Sequence, residues 1–324
     1  PPKMASSTTY NTAGNKEDLT DILTVLEPEK TPLTSIAGKK KATGTHFEWQ
    51  LDSLSDPSWS GVNEGEDISS FDNKAAARAR VGNYIQKFRR TWMVSDLQQL
   101  VSTAGVASEA VNSASKSVRE LKRDLESAIC SVDDWAIENG TGTPYRTRGM
   151  LKWLGLGGQP ADVPAAFQSV ASSTAAPTEI TFNGVLQSLY TANGMPNGQL
   201  TLIAGPTLKS EISNFSRAQV VANNGVYNIT QSAESKKITL SVNLYEGDFG
   251  NVAIIPSTFV GRTRTAPGTA DSDAGILVDP EYVDLFTLKA ESADRLEDQG
   301  GGERGYCEII AGLAVSPKAH GYFN

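Results

Sequence analysis

Cysteine and histidine are scarce in this sequence, and their scarcity excludes several classes of protein. The two cysteines, Cys130 and Cys307, lie far apart, so the pattern of a disulfide-stabilised secreted domain is absent. The two histidines, His46 and His320, lie near opposite ends, and no pair of ligands has the spacing of a zinc site. We therefore expect no disulfide, no bound metal and no cofactor.

Long hydrophobic runs and catalytic motifs are also absent. No apolar run approaches the roughly 18 residues that span a bilayer, and no charged-then-apolar signal segment opens the chain. The sequence contains no nucleophile elbow, Walker loop or dinucleotide fingerprint. These absences argue against a membrane protein and against an enzyme, and we expect no catalytic residues.

Positive charge is not in excess. The chain has 29 basic and 37 acidic residues, a formal net charge of −8, which argues against binding of nucleic acid by bulk electrostatics. A hydrophobic share of 39% and a charged share of 20% are typical of a folded rather than a disordered protein. The length of 324 residues suits two domains, or one domain with extensions.

The most regular pattern lies in residues 107–139. Apolar residues recur every three or four positions, which predicts one narrow stripe along a helix roughly 50 Å long. The stripe comprises Ala107, Val111, Ala114, Val118, Leu121, Leu125, Ala128, Val132 and Ala136. Opposite charges one turn apart support it, Lys116 with Glu120 and Lys122 with Glu126. Such a helix lies across a surface or pairs with another helix, and Asn139-Gly140 suits its C-terminal cap.

Residues 46–52 and 77–95 predict a long two-stranded projection. The first run alternates apolar and polar residues, and the second is rich in aromatic and β-branched residues interleaved with arginines. The residues between them are acidic. An isolated hairpin is marginal in water, and this charge segregation suits contact with another copy of the chain. The candidate intersubunit contacts are Trp49, Asp52, Glu64, Glu66, Asp67, Arg78, Arg80, Arg89 and Arg90.

The basic run leaves an alternative open. Its arginines could contact phosphates while Tyr84, Phe88 and Trp92 stack on bases, but the acidic neighbouring loop favours protein–protein contact. If that loop meets basic residues of a neighbour, reversing Arg89 and Arg90 to Glu should block assembly and leave the monomer folded.

The remaining segments predict an arm, a linker and a second folded unit. Residues 1–44 contain one short helix after Asn15 and are otherwise irregular, so they fold onto something else. Residues 161–178 have the composition of a linker. From residue 179 the pattern is a mixed α/β unit, with a strand at 199–205 and two strands around the turn 246–250. A strong strand, residues 306–315, precedes the end of the chain.

Local sequences add a family resemblance. They are DLTDILTVLEPEKTPLTSI, FEWQLDSL, ARARVGNYIQKFRRTWMVSDLQQLVSTAGVASEA, ELKRDLESAI and ILVDPEYVDL. Together with the order of elements, they resemble the major capsid proteins of tailed bacteriophages with the HK97-type fold, in the branch typified by phage SU10.

The resemblance implies an α+β, HK97-like capsid fold with five parts. These are an N-terminal arm (1–44), an extended two-stranded E-loop (45–94), a peripheral domain (95–178) with a spine helix at 107–139, an α/β axial domain (179–270) and a return to the peripheral sheet (271–324). It implies self-assembly into hexamers and pentamers of an icosahedral virion shell enclosing double-stranded DNA, in the bacterial host cytoplasm. Implied partners are further copies, a portal protein, and scaffolding or decoration proteins, with no membrane and no sequence-specific DNA binding. Since no scaffolding region of the kind some members carry is recognisable, scaffolding would be separate, removed or unnecessary.

Two other functions are weighed against this one. A structural protein that self-assembles through a coiled coil at 107–139 would also explain the stripe, although the many alanines weaken that case. A hydrolase seated in residues 179–270 would need a nucleophile and a base, and no such set is recognisable there.

Overall fold

The computed structural model describes residues 27, 29–101, 105–175, 177–194, 198–222, 242–263, 273–297 and 299–324. The short helix expected after Asn15 lies outside these residues.

The described elements alternate between helices and strands along the chain. The helices are α1 (Pro32–Ile36), α2 (Asp96–Leu100), α3 (Glu109–Ile129), α4 (Met150–Trp153), α5 (Glu179–Asn193) and α6 (Pro206–Ala222). The strands are β1 (Gly38–Lys41), β2 (His46–Leu51), β3 (Ala79–Tyr84), β4 (Gln86–Val94), β5 (Ala171–Ser173), β6 (Gln199–Ala204), β7 (Leu244–Gly247), β8 (Gly250–Pro256), β9 (Gly275–Val278), β10 (Val283–Leu296), β11 (Glu303–Val315) and β12 (Gly321–Phe323).

The strands form two sheets and a separate ribbon. One sheet has four strands in the order β1-β10-β11-β4, the other has six in the order β5-β12-β9-β6-β8-β7, and β2 pairs with β3 alone. The chain crosses between the sheets from β9 to β10 and again from β11 to β12. Residues 271–324 therefore give two strands to each sheet, whereas the sequence analysis placed all of them in the peripheral sheet. β9 pairs antiparallel with β6 and contributes to both apolar cores, with Ile276 and Val278 in the first and Leu277 in the second.

Helix α3 is shorter than predicted. It ends at Ile129, and the Ser131 hydroxyl donates to the Ala128 carbonyl in the last turn. Asp133 and Asp134 follow, where the negative end of the helix dipole disfavours carboxylates. The chain instead turns and forms an isolated bridge between Ala136 and Arg146, so the expected helix over 107–139 and its cap at Asn139-Gly140 are wrong.

The stripe of α3 packs on a sheet of its own chain, which is the first of the two arrangements that the sequence analysis left open. Leu121, Leu125 and Ile129 are buried in one apolar core with Cys307 and Leu313 of β11, and α3 also contacts β4. This packing contradicts the coiled-coil alternative, because the stripe is not available to another helix.

The buried face of α3 is rotated slightly from the predicted stripe. Ala110 and Ser117 are buried, while Val111 is 60% exposed. A regular spacing of three and four fits two neighbouring stripes almost equally well, so contacts with the sheet decide between them.

The predicted partner run 77–95 divides into two strands with different partners. β3 pairs antiparallel with β2 in the ribbon, whereas β4 pairs antiparallel with β11 in the four-stranded sheet. The division falls at Ile85, whose amide donates to the Thr45 carbonyl. The two-stranded projection is therefore residues 46–84, and β4 is part of the body.

The segment before the ribbon is more ordered than predicted. Residues 32–41, expected to be irregular, form α1 and β1, and β1 pairs parallel with β10. The buried Glu126 carboxylate accepts hydrogen bonds from the amides of Leu33 (2.7 Å) and Thr34 (2.8 Å) and from the Thr34 hydroxyl. Burial raises the pKa of Glu126, and these hydrogen bonds oppose the rise. The expected Lys122–Glu126 pair is thus wrong, and Lys122 lies 3.5 Å from Glu291 instead.

The stretch 161–178 is not simply a linker. Phe167 is buried in the first core, and β5 pairs parallel with β12 at the edge of the six-stranded sheet. The predicted α/β unit after it is confirmed: Thr178 caps α5, Gly194 ends it with a φ of 71°, and β6 is buried.

His320 connects the two segments in which the chain passes from one sheet to the other, β9 to β10 and β11 to β12. Its Nδ1 accepts from the amide of Asp279 (3.0 Å), which fixes the proton on Nε2, 3.3 Å from the Tyr282 carbonyl. The Ser169 hydroxyl donates to the His320 carbonyl at 2.7 Å. Burial lowers the pKa of His320 to about 4, so the ring is neutral at physiological pH.

Acidification is expected to weaken the fold through His320. Because the folded pKa of about 4 lies below the ordinary 6.5, the unfolded chain binds more protons between these values, and stability falls as the pH drops from 6.5 to 4. The full loss is about 3 kcal/mol. Urea denaturation of wild type and His320→Gln at several pH values measures it, and the difference between their unfolding free energies should shrink across this window. If the difference in unfolding free energy stayed constant from pH 6.5 to pH 4, the lowered pKa of His320 would be wrong.

Candidate assembly surface

The ribbon of β2 and β3 lies against the body at its base. Phe47 stacks on Phe286 of β10 with ring centroids 4.7 Å apart, and Trp49 lies 5.5 Å from Trp153. Tyr84 packs beside Trp135, in the chain that follows α3. One face of the ribbon thereby covers the four-stranded sheet, as its alternating sequence predicts.

Asn83 fixes the base of the ribbon through buried polar contacts. Its amide nitrogen donates to the Leu313 carbonyl (2.7 Å) and the Thr147 hydroxyl (3.0 Å), and its amide oxygen accepts from the Arg148 amide (3.0 Å). A buried amide with several partners is stabilising, whereas one without them costs free energy. Asn83 therefore ties the ribbon to both β11 and the segment before α4.

Arg148 organises that segment. Its side chain is 1% exposed, Nε donates to Asp134 (2.6 Å), and both terminal nitrogens donate to Asp162 (2.8 and 3.1 Å). The guanidinium also lies over the Trp153 ring, 4.4 Å from its centroid. A planar cation with two carboxylates and an aromatic face thus anchors the irregular chain after α3.

Beyond the ribbon, residues 52–78 form a projecting loop. All of them except Ser53 are exposed, with a turn at Glu64-Gly65 and a short 3₁₀ turn over Lys74–Ala77. Five large apolar side chains contact almost nothing: Leu54 (97% exposed), Trp59 (98%), Val62 (79%), Ile68 (76%) and Phe71 (87%). Large exposed apolar groups of this kind mark interaction sites.

The candidate contacts named from the sequence fall into three groups. At the ribbon, Trp49 is half-buried, Asp52 pairs with Arg78 (3.3 Å) and Arg80 pairs with Glu48 (3.3 Å). The second group, exposed at the loop tip, is Glu64, Glu66 and Asp67; Glu66 accepts hydrogen bonds from Asn63. The third group, Arg89 and Arg90, lies on β4 and not on the ribbon.

Arg89 and Arg90 make ion pairs within their own chain. Arg89 donates to Glu308 (2.9 Å), its cross-strand neighbour on β11. Arg90, on the opposite face, donates to Asp124 of α3 at 2.5 and 2.7 Å, and this contact raises the pKa of Arg90. These residues stabilise the body in addition to any contact with a neighbour.

Glu308 is covered by three cations. Lys289 (2.8 Å), Arg89 (2.9 Å) and Lys87 (3.1 Å) surround its carboxylate. Hydrogen bonds from these cations, with Lys289 the largest contributor, lower the pKa of Glu308 to about 2 against the cost of burial. The carboxylate therefore stays ionised at physiological pH and neutralises only part of the positive charge around it.

Reversing both arginines should destabilise the subunit itself. In Arg89→Glu/Arg90→Glu, new carboxylates would face Glu308 and Asp124, so like charges replace two ion pairs. Because both arginines are about half exposed, we expect a loss of about 1–3 kcal/mol of unfolding free energy. Urea denaturation of the unassembled subunit measures it. An unchanged midpoint would mean that these pairs contribute little, and any assembly defect would then report on a neighbour alone.

Sequence reasoning missed the apolar residues of the loop and the polar anchors of its base. The apolar residues were visible in the printed sequence as isolated large side chains among Ser, Asp and Gly. Asn83 gave no local signal, because its partner Leu313 lies 230 residues away. The carboxylate partners of Arg148 lie 14 residues away on either side, a spacing that matches no helix or strand period.

Two features of other protein classes are absent from the described residues. Within them, no three His, Cys, Asp or Glu side chains converge as metal ligands. None of the helices traced in these ranges is both long and apolar enough for a membrane span.

Comparison with known proteins identifies the family. The model of the SU10 major capsid protein family matches residues 6–324. The major capsid protein of Escherichia phage Phieco32 is 29% identical over 122 residues, 38% of this chain, and the match spans 34% of that relative's length.

Solved structures share the fold at low identity. The capsid asymmetric unit of cyanophage A-1(L) has a TM-score of 0.66 at 10% identity, covering 98% of both chains. The mature capsid of bacteriophage PhiM1 gives 0.63 at 10% identity, with 98% of both chains covered. The Gordonia phage Cozz structure gives 0.61 at 14%, covering 100% of this chain and 96% of the other. The fold is thus the HK97-like capsid fold.

Proposed function

Because this chain belongs to the SU10 major capsid protein family, we propose that it polymerises as hexamers and pentamers into the icosahedral shell of a phage virion. The shell encloses double-stranded DNA. The observation that carries the proposal is the projecting loop, whose five large apolar side chains have no surface to cover within their own subunit. Another copy of the chain supplies that surface.

The parts of the chain take the following roles in this proposal. Residues 45–94 act as the E-loop, although β4 also belongs to the body. Residues 95–178 form a peripheral domain around α3 as its spine, residues 179–270 form the axial domain, residues 1–44 act as an arm, and residues 271–324 connect the two domains. The two sheets support a division of this kind, with one apolar core confined to the six-stranded sheet and its helices and the other shared by both sheets.

The net charge of the chain is consistent with a shell that encloses DNA without binding it tightly. The formal net charge of −8 disfavours tight binding to a genome that must be packed and released. We propose that assembly takes place in the bacterial host cytoplasm, with a portal protein and with scaffolding or decoration proteins as further partners.

Electron microscopy of the purified protein and of particles from expressing cells tests the proposal. Closed shells built of this chain, seen as hexamers and pentamers in a reconstruction, are the expected result. Persistent monomers under every condition tried, including co-expression with the portal and scaffolding proteins proposed above, would overturn it.

A further inference from the structure

A small cavity lies where the ribbon meets the segments that connect the two sheets. Its volume is about 210 Å³. The end of β2 lines it through Leu51, and the turns that follow β9 and β11 line it through Tyr282 and Ala319. Phe167 contributes a further part of the wall. We call this space the junction cavity.

The junction cavity suits a small apolar group. Its wall is mostly apolar, and Phe167 and Ala319 within it are buried. A cavity of about 150 Å³ with apolar walls is large enough for benzene, so 210 Å³ has room for one aromatic ring and a small polar group. The volume is below the usual range for drug-sized ligands, which favours a small molecule over a larger occupant.

Three hydrogen-bond donors of the junction cavity have no partner within the described residues. They are the ammonium of Lys318 and the hydroxyls of Tyr282 and Ser316. Asp52 is the other charged residue of the lining, and it already pairs with Arg78 at 3.3 Å. Lys318 therefore leaves one positive charge uncompensated at the cavity, which together with the two hydroxyls favours an anionic acceptor such as a carboxylate.

Contacts within the subunit hold one side of the junction cavity in place. The Ser316 amide donates to the Tyr282 carbonyl at 3.2 Å, which joins the turns after β9 and β11. The Asn193 side chain, at the end of α5, donates to the Lys318 carbonyl at 3.4 Å. A site whose parts are already positioned loses little freedom when a ligand binds. On the ribbon side, Leu51 is half-buried and is the last residue of β2, so a bound ligand would contact both the fixed turns and the ribbon.

We propose that the junction cavity binds a small carboxylate with an aromatic ring. The carboxylate accepts hydrogen bonds from Lys318, Tyr282 and Ser316, and the ring packs against Leu51 and Phe167. Because the ligand touches the last residue of β2 and the turns of the body, its binding restrains the base of the ribbon. The inference concerns the single subunit and does not depend on the proposed shell function.

Titration of the unassembled subunit with 4-fluorobenzoate, followed by fluorine NMR, tests the binding. A ligand of this size should bind with a Kd of about 1–5 mM. The matched neutral compound, 4-fluorobenzamide, has the same ring without the charge and should bind at least tenfold more weakly. Equal affinity of the two compounds, or no saturation with 4-fluorobenzoate at about 50 mM, would overturn the proposal.

Substitution of Lys318 separates a specific site from general attraction to a cation. Lys318→Met keeps the apolar stem and removes the charge, so we expect the Kd for 4-fluorobenzoate to rise at least tenfold, whereas Lys318→Arg should keep it within threefold. The matched control, Lys41→Met, removes an exposed lysine of β1 that does not line the cavity and should bind like wild type. Circular dichroism checks the fold of each variant. An unchanged Kd in folded Lys318→Met, or equal losses in Lys318→Met and Lys41→Met, would overturn the proposal.

The position of the bound ligand is measured in the wild-type protein, so this readout does not depend on how a variant folds. Nuclear Overhauser contacts from the ring of 4-fluorobenzoate should reach the methyl groups of Leu51 and Ala319, and hydrogen exchange at β2 should slow at least threefold at saturation. Exchange at β7, in the six-stranded sheet, should not change. Contacts only with residues outside the cavity would overturn the site, and unchanged exchange at β2 would overturn the restraint on the ribbon.

Discussion

Replacing residues 53–77 with a short Gly-Ser turn is expected to give a folded subunit that forms no shells. The projecting loop contributes almost no buried surface to its own subunit, and the Asp52–Arg78 ion pair at its base lies outside the replaced residues. The ribbon below it remains attached through Phe47 and Asn83. The thermal midpoint should therefore stay close to that of the wild type.

The size of the assembly defect follows from the apolar side chains of the loop. Burying a large apolar side chain contributes about 1.5–3 kcal/mol, so five of them contribute on the order of 10 kcal/mol to each loop contact before ordering costs. Trp59, at 98% exposure, is the largest. Trp59→Ala alone should raise the protein concentration needed for assembly roughly 100-fold, since about 1.4 kcal/mol is a factor of ten.

Controls separate the loop's apolar contacts from its length and charge. Trp59→Phe keeps a large aromatic side chain and should assemble nearly as well as wild type, while Ser60→Ala changes a neighbouring exposed residue and should have no effect. Light scattering against protein concentration gives the assembly threshold for each variant. Equal thresholds for wild type and Trp59→Ala would show that Trp59 does not enter an interface.

Patterns of local periodicity predicted much of this structure. The strands at 46–52, 199–205 and 306–315 all follow from spacing within a few residues. A single apolar stripe must be covered, so the sequence predicted that α3 packs on a surface or on another helix, and the structure decides for the sheet. The resemblance supplied the order of the domains, which no local pattern contains.

Features that depend on distant partners could not be predicted in the same way. Glu126 looked like half of a helical ion pair, yet it caps α1, 92 residues earlier in the chain at Thr34. The run 77–95 contains no proline at its division, and the break at Ile85 is set by Asn83 and its contact with Leu313. The helix expected to reach residue 139 ends early because the following residues pack around Arg148. Each correction replaces a local rule with a tertiary contact.

Arg148→Met is expected to destabilise the subunit by about 2–4 kcal/mol. The substitution keeps an apolar stem of similar length against Trp153 but removes the hydrogen bonds to Asp134 and Asp162. Both aspartates are partly exposed, so water solvates them once the arginine is gone, and the loss stays below that of a fully buried pair. Urea denaturation of the unassembled subunit gives the free energy.

Removing the aspartates should cost more than removing the arginine. In Asp134→Asn/Asp162→Asn the guanidinium stays buried, has lost the carboxylates of Asp134 and Asp162, and cannot lose its proton. Arg148→Lys should recover little of the Arg148→Met loss, because an ammonium cannot donate to both carboxylates while lying flat on Trp153.

Because Asn83 accepts from the Arg148 amide, loosening this segment also frees the base of the ribbon. Hydrogen exchange at β3 should therefore accelerate in both the Asp134→Asn/Asp162→Asn and Arg148→Met variants. An Asp134→Asn/Asp162→Asn protein as stable as wild type, with unchanged exchange at β3, would show that the aromatic contacts alone hold Arg148, and that the ribbon is positioned independently of it.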